Sequence, residues 1–122
     1  MKPEESEKTL EARLVREIEA RGGMALKYTS QFHRGIPDRI CLLPGGVTFF
    51  VELKSTGQKP TKLQQHAMDQ LEKLGFSTRV VDSTESLDRI LRTLDQAEKL
   101  RKIIFSLHCP NLSEFDKNMT KI

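Results

Sequence analysis

Two carboxylates and one amine carry the chemistry that this sequence can do. Glu52 and Lys54 stand two residues apart at the end of the apolar run Val47-Thr48-Phe49-Phe50-Val51-Glu52-Leu53-Lys54. On a β-strand, side chains alternate between faces. Thr48, Phe50, Glu52 and Lys54 therefore share one face, and Val47, Phe49, Val51 and Leu53 form an apolar core face. Upstream, Gly35-Ile36-Pro37-Asp38 delivers a second carboxylate at the start of the preceding strand. Two carboxylates converging on one point suit a hard divalent cation, which takes oxygen ligands and keeps several waters. A lysine beside them steadies an attacking hydroxide or the charge developing on a phosphate. A Lewis acid, an oriented water and charge neutralisation are the requirements of metal-assisted phosphodiester hydrolysis.

The elements that must position these groups follow from apolar periodicity and turn residues. Leu10, Leu14, Val15 and Ile18 recur at helical spacing, which predicts a helix from about Pro3 to Arg21 that stops at Gly22-Gly23. Met24 to Tyr28 reads as a first strand, followed by a loop from Ser30 to Pro37. Arg39 to Leu43 and Val47 to Leu53 read as a hairpin joined at Pro44-Gly45-Gly46. That hairpin leaves Asp38 and Glu52 together at the end away from the turn, although the register is not determined by sequence. Ser55 to Pro60 is a polar loop. Lys62 to Leu74 is a helix with Leu63, Ala67, Leu71 and Leu74 on one stripe and Gly75 beyond its end. Ser77 to Val81 is a fourth strand. Thr84 to about Leu100 is a third helix, capped by Asp82 or Ser83. The order predicts an α/β fold, a mixed sheet flanked by helices.

In that order the motifs resemble a known family. Pro37-Asp38, then Glu52-Leu53-Lys54 after a hairpin, is similar to the PD-(D/E)xK nuclease core. The string GIPDRI…LLPGG…FFVELKSTGQKPTKLQ…LGF…VVDS resembles the VRR-NUC (virus-type replication-repair nuclease) domain over roughly Glu7 to Leu94. The resemblance implies a restriction-endonuclease-like αβββαβ core at 1–100, with an extension or tail at 101–122. It implies that Asp38 and Glu52 bind the metal, that Lys54 assists the nucleophile, that Glu11 on the first helix completes the site and that Gln64 supports it. The carbonyl of Leu53 joins the expected ligand set, and the expected cofactor is Mg²⁺ or Mn²⁺. Stand-alone family members resemble Holliday-junction resolvases and act as homodimers on branched DNA, which implies a structure-selective endonuclease of DNA repair type. A non-cleaving DNA-binding module, or a nuclease subunit needing a repair or helicase partner, is the alternative.

Several of these residues also have plainer readings. Asp38 after a proline can simply open a turn, and Glu52 with Lys54 can be an idle strand-end pair. Thr61-Lys62-Leu63-Gln64 matches a capping box, so Gln64 can serve the backbone of Thr61. Glu11 sits among Glu4, Glu5, Glu7, Glu17 and Glu19, and Glu7, four residues earlier on the same face, is the reserve. Phe50 reads as packing under the first helix and Cys41 as core. His33, His66 and His108 have no metal-ligand spacing.

Charge adds a mild hint. The 122 residues carry a net charge of +3. Between Met24 and Lys62 there are six basic residues against two acidic ones. Lys27, Arg34, Arg39, Lys59 and Lys62 are therefore the expected phosphate contacts, giving affinity without base specificity. No apolar run is long enough for a membrane span, and no h-region suggests a signal peptide. Cys41 and Cys109 form no CxxC pair, which favours a reducing cytoplasm, that of the host if the chain is phage-encoded. Ile103 to Leu107 either extends the third helix or forms a dimer contact.

Overall fold

The structure, a computed structural model, describes residues 4–28 and 33–108. The expected tail from Pro110 to Ile122, Cys109 and part of the loop after Tyr28 lie outside the described residues. The chain divides into two compact units that part after Asp88.

The first unit begins with α1 (Glu7–Ala20). Ser6 caps it, its side chain accepting from the Thr9 N–H at 3.2 Å, the standard remedy for an orphaned helix donor. Its far end closes when Gly22 N–H donates to Glu19 O and Gly23 N–H to Ile18 O, each at 3.0 Å. This double closure needs a left-handed residue, which Gly22 supplies at φ +80. Leu10, Leu14 and Ile18 are fully buried, each contributing about 1.5–3 kcal/mol from burial.

Four strands follow as one sheet in the order β1-β2-β3-β4: β1 (Met24–Lys27), β2 (Arg39–Leu43), β3 (Val47–Leu53) and β4 (Ser77–Val81). β1 with β2 and β2 with β3 are antiparallel, whereas β3 and β4 run parallel. A parallel pair needs a crossover, and α2 (Lys62–Lys73) provides it. α1 packs on β1 and β3, and α2 on β4. One face buries the row Ala25, Cys41 and Phe49, and carries Val51 and Leu53.

Two packing expectations change. Only Ala67 and Met68 of α2 are buried. Leu63 and Leu74 are exposed, because α2 lies on one edge strand and a single strand covers only a narrow stripe. Phe50 does not pack under α1. Strand alternation turns it to the opposite face, where it meets Phe76 edge-on, with ring centroids 5.7 Å apart at 88°.

α3 (Thr84–His108) starts in the first unit and makes up the described part of the second. Ser83, not Asp82, caps it, its Oγ accepting from the Ser86 N–H at 3.1 Å. Glu5 adds a clamp, its Oε2 accepting from the Thr84 N–H at 2.6 Å. The helix runs past the expected boundary after residue 100. Within the second unit, Glu98 binds Arg101 through two hydrogen bonds of 3.0 and 2.8 Å, and Leu100, Ile103, Ile104 and Leu107 are exposed. No helix among the described residues is long and apolar enough to cross a membrane.

Candidate active site

Glu52 lies near the end of β3, an inner strand with a neighbour on each side. It is 2% exposed. Its Oε1 stands 3.7 Å from Lys54 Nζ. Its Oε2 has no hydrogen-bond partner, the one buried side-chain polar atom among the described residues of which that holds. An unpartnered buried carboxylate oxygen is costly, and such atoms call for a proton or a cation.

Asp38 reaches the same point from β2. The β2–β3 register pairs Arg39 with Val51, and one further step sets Asp38 opposite Glu52. Asp38 Oδ2 accepts from the Leu53 N–H at 2.9 Å. The side chain thus stands in for a strand carbonyl just where β2 stops, which holds the carboxylate at the sheet end. Asp38 O accepts from the Tyr28 N–H at 3.5 Å. Pro37 is fully buried, which stiffens the approach. Gly35 sits at φ +83, and a Cβ there would lie 2.7 Å from Leu63 O. The loop therefore touches the start of α2 so closely that only glycine fits.

Electrostatics follow from this crowding. Burial first and the charge of Asp38 second push the Glu52 carboxyl up to about 7, against a downward pull from Lys54 and with smaller upward pushes from the closeness of the Asp38 carboxyl and from the charge of Glu7. Near neutral pH, Glu52 is therefore poised between protonated and charged forms.

The remaining expected residues divide. Glu11 does not join this cluster. Its Oε2 lies 3.3 Å from Arg39 Nε, and Arg39 Nη1 donates to Ala25 O at 2.9 Å. Arg39 is opposite Val51, on the face turned away from Glu52, so the expected ligand and the expected phosphate contact engage each other. The α1 acid whose charge reaches Glu52 is Glu7, one turn earlier. Sequence narrows the choice to one helical face and no further. Among the described residues, no group of three or more His, Cys, Asp and Glu side chains converges as a metal cluster.

Gln64 forms the capping box. Its Oε1 accepts from the Thr61 N–H at 2.9 Å, and its own N–H donates to Thr61 Oγ1 at 3.2 Å. Lys27 and Arg34 line a cleft of about 290 Å³ together with Tyr28, His33, Ile36 and Asp38. Lys59 and Lys62 are exposed away from that lining. Cys41 is buried, and burial pushes its thiol up to about 12, so it is inert core.

Comparison with known proteins places this geometry. No family model matches the chain. Protein p44 of Acyrthosiphon pisum secondary endosymbiont phage 1, named as a nuclease, is 42% identical over 79 residues, which span 65% of this chain and 85% of p44. A solved structure described as a VRR-NUC domain is similar with a TM-score of 0.68 and 28% identity, covering 72% of this chain and 97% of that one. The mixed four-stranded sheet with its flanking helices has the same restriction-endonuclease-like α/β fold.

Proposed function

The chain belongs to the VRR-NUC nuclease family, and on that premise we propose that it is a Mg²⁺- or Mn²⁺-dependent, structure-selective DNA endonuclease acting on branched DNA in the manner of a Holliday-junction resolvase. The observation that carries this reading is the buried, unpartnered Oε2 of Glu52, in a carboxyl that also feels Asp38 and Lys54. All the donors there are hard oxygens, the set that Mg²⁺ and Mn²⁺ prefer.

Asp38, Glu52 and the carbonyl of Leu53 are the groups that would hold the ion. When bound, it supplies Lewis acidity and neutralises charge on the scissile phosphate. Asp38 is positioned by the Leu53 N–H before any substrate arrives, so no reorganisation is needed there. Glu52 would have to be deprotonated to hold the ion, which would couple activity to pH. Lys54 meets the negative charge that develops on the phosphate and keeps Glu52 partly ionised. Glu7, not Glu11, is the α1 carboxylate that acts on the cluster. Lys27, Arg34, Lys59 and Lys62 hold backbone phosphates, which positions DNA without reading its bases.

A two-fold homodimer would present two such sites to two strands, with exposed Ile103, Ile104 and Leu107 of α3 as the contact surface. The cytoplasm, that of a host cell for a phage-encoded chain, is the compartment that fits.

The test is cleavage of a labelled four-way junction and of linear duplex by wild type and Glu52→Gln. Nicking of the junction in Mg²⁺ or Mn²⁺, none in EDTA and strongly reduced nicking by the variant is the expected result. Equal cleavage by both proteins overturns the assignment. Binding without cutting in either metal favours the non-cleaving module.

A further inference from the structure

The cleft beside Asp38 has a composition that phosphodiester cleavage alone does not require. Arg34 makes it basic, and Tyr28 adds an aromatic ring that is 48% exposed. The β1–β2 register pairs Lys27 with Arg39, and the bond from Tyr28 N–H to Asp38 O sets Tyr28 opposite Asp38. Tyr28, Asp38 and Glu52 therefore form one row across three adjacent strands. Cross-strand neighbours share a face, with strands about 4.8 Å apart. The aromatic ring stands beside the carboxylate pair, and Asp38 is a wall of both sites.

Size and chemistry narrow the occupant. At about 290 Å³, the cleft is at the small end of ligand pockets, which run from about 300 to 1,000 Å³. That suits one nucleotide and excludes a duplex end. Strand alternation turns Lys27, paired with Arg39, to the other face, so Arg34 is the cation that shares the cleft with the Tyr28 ring. A ring beside a cation is an arrangement that binds unpaired nucleic acid, the base stacking and the phosphate meeting the charge. A paired base is already stacked on its neighbours and cannot lie on Tyr28 unless it is extruded.

We propose that this cleft holds a single unpaired deoxynucleotide flanking the scissile phosphate, its base on Tyr28 and its phosphate on Arg34. The inference rests on the nuclease reading above and deepens it. Tyr28 is then a specificity residue that favours branches offering an unpaired nucleotide over continuous duplex.

The experiment measures binding in EDTA, so that it is independent of cleavage. A short single strand carrying 2-aminopurine and a blunt duplex of the same sequence are titrated with wild type, Tyr28→Leu and Tyr28→Phe. In wild type, 2-aminopurine emission should fall on binding as the base stacks. Tyr28→Leu should weaken single-strand affinity about 5- to 150-fold, the range for one base–aromatic stack, while Tyr28→Phe retains it and duplex affinity is unchanged in all three. Arg34→Gln should reduce the salt slope of single-strand binding by about one. Unchanged emission in wild type overturns the proposal without any variant. Equal affinity of Tyr28→Leu and wild type for the single strand does so as well. A protein that passes these tests yet cuts nothing in Mg²⁺ or Mn²⁺ fails the nuclease reading instead.

Discussion

The two faces of the β2–β3 hairpin each hold a glutamate beside a basic side chain, and they differ in how completely the acid is satisfied. On one face, Glu11 from α1 meets Arg39, whose guanidinium also donates to Ala25 O. Both side chains keep some solvent contact, at 26% and 17% exposure. On the other face, Glu52 is sealed from water, has Lys54 at 3.7 Å, and leaves one oxygen without a hydrogen bond. The first is a structural tie. The second is a strained arrangement that folding alone would not favour, since an apolar residue there would cost less. The difference separates a glutamate whose charge is met by its neighbours from one whose charge is not, which is the contrast the proposed metal site requires.

Activity should break the symmetry most strongly. Glu52→Gln should lower metal-dependent cleavage about 10²- to 10³-fold, because the ion that would neutralise the developing charge loses a ligand, an effect on the scale of one lost electrostatic stabiliser. Glu11→Gln, measured in the same gel assay, should change it little. Equal losses would mean that the two faces work as one site.

Stability should respond in the opposite direction. The folded Glu52 carboxyl sits near 7, above its ordinary 4.5. Folding therefore favours the protonated form, so its contribution is fully present below about pH 4.5 and is lost as pH rises through 7. A shift of this size corresponds to on the order of 3 kcal/mol. Thermal melts without divalent cation should show Glu52→Gln more stable than wild type at pH 8 by about that amount, and indistinguishable from it at pH 4. Mn²⁺ titrated by calorimetry should bind wild type more tightly as pH rises through 7, with proton release. A pH-independent affinity would remove Glu52 from the ligand set.

Gln64→Ala tests whether the capping box is all that this residue does. It should cost about 1 kcal/mol in denaturant unfolding, as lost caps do, and leave the cleavage rate per folded molecule nearly intact. A large drop in rate would give Gln64 a catalytic task as well. The smallest expected effect is the stability loss in Glu11→Gln, below about 1 kcal/mol for a part-exposed ion pair.

The legible parts of the chain were those governed by local rules. Apolar spacing at Leu10, Leu14 and Ile18 located α1, and the alternation from Val47 to Leu53 oriented Glu52 and Lys54 on one face. The Gly45–Gly46 turn identified the hairpin. Periodicity predicts a wider buried stripe on α2 than the structure shows, because it reports which residues share a face and not how much of that face a neighbour covers. The end of α3 is open in the sequence, because Leu100, Ile103, Ile104 and Leu107 are apolar yet exposed among Arg101, Lys102 and Ser106 and give no contrast of the kind that marks a helix bordering a core; the structure takes the extending alternative.

What the sequence determined alone was the inventory: an Asp after a proline, a Glu-x-Lys at a strand end, and a glycine turn to join them. Period-two alternation and turn chemistry act over a few residues, so they survive without knowledge of the rest. Tertiary structure decided which acid of α1 has its charge felt at Glu52 and that Arg39 pairs with Glu11. It also decided that Tyr28 stands in the same row as Asp38 and Glu52. Each of these depends on strand register or helix placement, and a shift of one residue in a strand or one turn in a helix would exchange the answers while leaving every local pattern unchanged.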